Sequence, residues 1–129
     1  MLDLKALLSK ILGQFIFEES TTTITTTTGA LNSHVMCRMG RLRFLRISVS
    51  KSTATAVGSN VFAGKITNSS DVPAHYVTGV GYYGSSCAPA QIAGGNATDV
   101  GTITVRVTGA NLPSNATTWI SFVYVAKDA

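Results

Sequence analysis

The chain predicts an all-β fold, an antiparallel β-sandwich or jelly roll preceded by a short N-terminal amphipathic helix. Three observations lead there. From about Val35 onward, short runs rich in β-branched and aromatic residues alternate with Gly, Asn, Ser and Pro turns. Ile103, Val105 and Val107 face one way while Thr102, Thr104 and Arg106 face the other, the period-2 pattern of a half-buried strand. The last run, Thr117 to Lys127, is hydrophobic and needs a place inside a sheet.

In residues 1–13, Leu4, Leu7, Leu8 and Ile11 recur at the spacing of one helical face, and Gly13 supplies a stop. Helices below ~12 to 15 residues rarely persist alone in water, so this leucine face must dock on the β-domain or on symmetry mates. Leu4, Leu7 and Ile11 fit the a/d/a seam of a short coiled-coil. Residues 14–32 form an extended connection around the threonine run from Thr21 to Thr28, in which Ile24 is the one apolar side chain. Residues 33–129 form the β-sandwich head.

Within the head, Val35 to Met39 and Leu42 to Ser50 flank a tight turn at Gly40. Leu45, Ile47 and Val49 share one face of the second run, with Leu42 and Phe44 opposite. Strands follow at Asn60 to Thr67, His75 to Val80, Ala88 to Ala93 and Gly101 to Thr108. In the last, Thr117 to Lys127, Trp119, Val123 and Val125 oppose Ile120, Phe122 and Tyr124. Apolar residues on both faces predict a central strand.

A length of 129 residues fits one domain with a modest core. Only 12% of residues are charged against 45% hydrophobic, which leaves much neutral surface for another subunit to cover. The net charge of +4 owes much to Arg38, Arg41, Arg43 and Arg46, gathered in or beside one strand. A nucleic-acid binder spreads its basic face over several elements, so no nucleic acid is expected as a partner. Arg43 and Arg46 are instead expected to staple subunits together. No segment reaches the ~20 apolar residues of a membrane span. Residues 1–12 lack a secretory pattern, which predicts synthesis in a cytoplasm with Cys37 and Cys87 as free thiols.

Catalytic and metal signatures are weak. His34, Cys37 and His75 lack the paired cysteines of a zinc site, and no cofactor is expected. A triad drawing on His75 with Asp71 or Asp99 has no nucleophile elbow, and the remaining carboxylate pair for glycoside chemistry is Asp71 with Asp99. The chain is therefore expected to bind, not to catalyse.

Four stretches in order, Gly40 to Val49, Pro73 to Tyr76, Ile103 to Gly109 and Ile120 to Val125, resemble the C-terminal head domains of tailed-phage receptor-binding, tail-fibre and baseplate proteins. The likeness covers about Val35 to Ala129. It implies a homotrimeric β-sandwich in a virion, made in the bacterial cytoplasm, that meets other tail or baseplate proteins and attaches to host-surface saccharide. A non-receptor structural or decoration subunit of the particle is the alternative. The chain departs from the family pattern in having a short leucine-rich helix where a long shaft is usual. Tyr76, Tyr82 and Tyr83 offer sugar-stacking faces among glycines that permit close approach. Asn96, Asp99 and Asn115 offer turn hydrogen bonds to hydroxyls.

Overall fold

A computed structural model describes residues 3–7 and 18–127 of the chain. Its nine strands are β1 (Glu18–Ser20), β2 (Ile24–Thr28), β3 (Ala30–Met39), β4 (Leu42–Ser50), β5 (Asn60–Ile66), β6 (Val77–Tyr83), β7 (Ser86–Ile92), β8 (Thr102–Arg106) and β9 (Thr118–Val125). They form a four-stranded sheet, β1-β3-β4-β9, and a five-stranded sheet, β2-β5-β8-β7-β6. Every pairing is antiparallel.

The core lies between the sheets and follows the parity read from the sequence. Leu45, Ile47 and Val49 of β4, Ile103 and Val105 of β8, and Ile120 and Phe122 of β9 are all buried there with Phe62 and Ile92. Outward positions on β7 and β8 include threonine, proline, glutamine and arginine, as half-buried strands require.

Two expectations are corrected. The threonine run is extended, but it is part of the sheets: β1 pairs with β3 along the edge of one sheet, and β2 pairs with β5 along the edge of the other. The chain changes sheets between Ser20 and Ile24 and so closes one flank of the sandwich. With Ile24 half-buried and Thr25, Thr26 and Thr27 exposed, β2 has the composition an edge strand tolerates. The second correction concerns β9, which sits at the edge of its sheet with only β4 as a ladder partner. Its second apolar face is exposed on the outside.

The other flank closes by contact of β6 with β9. A Cβ added at Gly79 would come within 2.8 Å of the Ser121 carbonyl oxygen, and one at Gly81 within 2.7 Å of that of Trp119. Both glycines pair with alanines of β7, Ala90 and Ala88, so this corner of the sandwich is thin. At its end, Ala74 N–H donates to the Val125 carbonyl and Lys127 N–H to that of Val72, both in ordinary hydrogen-bond range. The space that these glycines leave is filled by β9, not by a ligand.

At the N-terminus, residues 4–7 form one helical turn. Asp3 caps it: its Oδ1 accepts from Ala6 N–H, and its carbonyl accepts from Leu7 N–H. Leu4 and Leu7 are both exposed. Ile11 and the rest of the helix expected over residues 1–13 lie outside the described residues.

Adding a methyl where β6 meets β9 must push two backbones apart. Gly81→Ala is expected to cost about 1–3 kcal/mol. Thermal unfolding followed by circular dichroism checks this; an unchanged midpoint would contradict the close approach.

Candidate functional site

One end of the sandwich is plugged by a buried polar cluster around Asp71, which ends the 3-10 turn Ser69–Asp71 between β5 and β6. The Asp71 side chain has no solvent exposure. Its Oδ1 accepts from Arg38 Nε at 2.9 Å and Arg43 Nε at 3.0 Å. Its Oδ2 accepts from Arg38 Nη2 at 2.6 Å and from the Thr22 hydroxyl at 2.6 Å. The Tyr124 hydroxyl donates to the Asp71 carbonyl at 2.6 Å.

The arginines in turn donate to backbone carbonyls at this end of the sandwich. Arg43 donates to Gly40, Leu42 and Ser70, and Arg38 to Thr21 and the Ser20 hydroxyl. His34 holds the same arm: its Nε2 stands 2.8 Å from the Thr22 carbonyl and 3.3 Å from the Thr22 N–H, so either tautomer finds a partner in one residue. Strands β1, β3, β4 and β9 and the loop before β6 are thus tied together.

Burial alone would raise the Asp71 pKa. The hydrogen bonds from Arg38, Thr22 and Arg43, with the Arg38 charge, reverse that and hold the carboxyl below its ordinary value. Burial, and then the Asp71 charge, push the Tyr124 phenol well above its ordinary value, so it remains a donor.

This cluster corrects the expectation for Arg43. Its side chain is 4% exposed and spent on Asp71 of its own chain, so it is no subunit staple. In β4 it shares the inward parity of Leu45, Ile47 and Val49. Arg46 points the other way and is exposed, its guanidinium 4.5 Å above the Trp119 ring. Asp71, with both oxygens engaged and no exposure, cannot reach a substrate as half of a carboxylate pair or triad. Cys37, paired with Phe44 and Glu19, faces outward, whereas His34 is bound to Thr22; no three His, Cys, Asp or Glu side chains group together among the described residues.

The expected ligand residues do not converge. Strand directions place Tyr82, Tyr83 and Asn115 at the end of the β6–β7 hairpin and the β8–β9 loop. Tyr76, Asn96 and Asp99 lie at the opposite end, with the loops before β6 and β8. All six are exposed. Asn115 adopts φ 60° and its N–H donates to Lys51, which gives it a turn-forming role.

Two outer faces remain. That of the four-stranded sheet is apolar: Trp119, Val123 and Val125 are 49%, 57% and 46% exposed, beside the half-buried Val35, Met39, Leu42 and Phe44. Its charged side chains are Glu19, at the β1 edge, and Arg46. A shallow groove of about 170 Å³ runs between Val35, Cys37 and Val123. The outer face of the five-stranded sheet is mostly polar, with Val80 and Tyr82 exposed on β6, and carries an open trough of about 440 Å³ across β5 to β8. Sequence reasoning missed this trough, because its members come from four strands whose register is set only by folding.

No protein-family model, curated protein or solved structure matches the chain. No helix among the described residues is long and apolar enough to cross a membrane.

Replacing Asp71 with asparagine leaves two arginines facing each other without a countercharge, at an expected cost of about 3–5 kcal/mol near neutral pH. The folded-state pKa of Asp71 lies below the unfolded value of about 3.9, so its contribution is complete above about pH 5 and fades as acid approaches the depressed value. Urea unfolding across pH should therefore show the difference between wild type and Asp71→Asn narrowing below about pH 4. A gap independent of pH would contradict an ionised Asp71.

Proposed function

We propose that the chain is a structural subunit of a tailed-phage particle: a β-sandwich head that assembles as a homotrimer, meets other tail or baseplate proteins and attaches to host-surface carbohydrate. The observation that carries the reading is the apolar outer face of the four-stranded sheet. Trp119, Val123 and Val125 stand out of an edge strand whose other face fills the core. A second copy of the chain is the occupant this face fits. The same chain exposes another apolar surface, Leu4 and Leu7, and closed rings are built by joining two unlike patches, whereas a two-fold dimer pairs one patch with itself. The face is also nearly uncharged, with Arg46 already stacked on Trp119, so burying it against another copy strands few ions.

The phage assignment draws its support from the order of the resembling segments. Pro73 to Tyr76 feeds β6, an edge strand, and the last such segment, Ile120 to Val125, lies in the final strand β9. The alternative of a decoration subunit that binds no receptor is favoured by one observation, the division of the tyrosine and asparagine candidates between opposite ends. Under that alternative, the double change of Tyr82→Ala and Tyr83→Ala leaves particle adsorption unchanged.

Light scattering coupled to size exclusion should give three times the chain mass at micromolar concentration. Val123→Glu places a charge in the proposed contact, an expected loss of several kcal/mol that reduces the particle to monomers with an unaltered circular dichroism spectrum. A monomeric wild type, or a Val123→Glu protein that still forms trimers, would overturn assembly through this face.

A further inference from the structure

The trough on the five-stranded sheet lies apart from the tyrosine-bearing turns. Register places Thr78 of β6, Gln91 of β7 and Thr104 of β8 in one row across three strands. Two residues along β8, Arg106 pairs with Asn60 of β5, and Pro89 lies on the same side of the trough in β7. The row therefore presents two hydroxyls and an amide beside a guanidinium.

None of these side chains has a hydrogen-bond or ionic partner among the described residues, so their donors and acceptors are free for a ligand. None of the five strands of this sheet contains an Asp or a Glu, while Lys65 and Arg106 project from its outer face. A surface with cations and no acid holds a positive potential over the row. Its volume of about 440 Å³ falls in the range of small-ligand sites.

We propose that this trough binds a carboxylated saccharide of the uronic-acid class. The guanidinium fork of Arg106 matches a carboxylate in a bidentate geometry. Thr78, Gln91 and Thr104 take ring hydroxyls, which need both donors and acceptors, as hydroxyl and amide groups supply. Pro89 and its register partner Val80, which is exposed, give the apolar face of a second sugar ring a surface to cover. The proposal rests on the carbohydrate-attachment reading and names the class of sugar.

The test titrates the full-length protein with tri-galacturonic acid and with its methyl ester, which keeps the rings and hydroxyls and removes the charge. The acid is expected to bind at least about tenfold more tightly than the ester, the ratio typical of a charge-assisted hydrogen-bonded pair. Arg106→Gln should bring the acid down to the affinity of the ester, and Gln91→Ala should weaken both. Arg106 is exposed, and an unchanged circular dichroism spectrum verifies folding of the variants; Arg106→Lys should retain part of the preference for the acid. Absence of measurable binding of the acid, equal affinities for acid and ester, or an Arg106→Gln protein that still prefers the acid would overturn the inference. The attachment reading fails separately, if an array of neutral and acidic host glycans also shows no binding.

Discussion

The carboxylate of Asp71 is the constraint on which the rest of the structure depends. A sandwich whose chain crosses from one sheet to the other must leave backbone carbonyls without ladder partners at the crossing, and each is costly if buried unsatisfied. Arg38 reaches such a carbonyl at Thr21 while Arg43 reaches those of Gly40, Leu42 and Ser70, but two guanidiniums side by side need a counterion. Asp71 supplies it, held by Thr22 from the crossing arm and fixed through its backbone by Tyr124 of β9. One carboxylate thereby locks the arm, the β3–β4 hairpin and the last strand into a single arrangement. Apolar packing of comparable volume can stabilise as much, so what distinguishes this cluster is the number of separate segments that it joins.

With that end closed, the opposite faces of the sandwich are free to differ. The four-stranded sheet presents mostly aliphatic and aromatic side chains, and the five-stranded sheet mostly threonines, a glutamine and the cations Lys65 and Arg106, with Val80 and Tyr82 on β6. Leaving the first in water costs more free energy than leaving the second. A chain with this asymmetry suits a subunit that buries one sheet against its own copies and shows the other to a polar ligand. At the thin corner Gly79 and Gly81 lie against Ile120 on the inner side of β9, and the alternation of that strand turns Trp119, Val123 and Val125 outward.

Much of the fold was legible in the residues, and the misses have physical reasons. Alternation in Leu45, Ile47 and Val49, and in Ile103 and Val105, depends only on the two-residue period of a strand and needs no partner to be read. The same period places Arg43 inward, yet its partner Asp71 is 28 residues away and enters only through the loop after β5. The threonine run reads as a linker because edge strands need little apolar content. Glycine within a strand signals a close backbone approach without saying by what, and here it was β9 instead of a sugar. The row of Thr78, Gln91 and Thr104 is invisible until two strand registers are known.

The central claim is that the apolar outer face of the four-stranded sheet is covered by other copies of the chain, and the single tryptophan stands on that face. Acrylamide quenching of Trp119 fluorescence, measured from concentrated protein down through dilution, tests it most directly. The account predicts a protected, blue-shifted Trp119 at high concentration that becomes accessible as the assembly dissociates. A Trp119 equally accessible at every concentration, in protein shown to be assembled, would place the contact elsewhere and contradict the account.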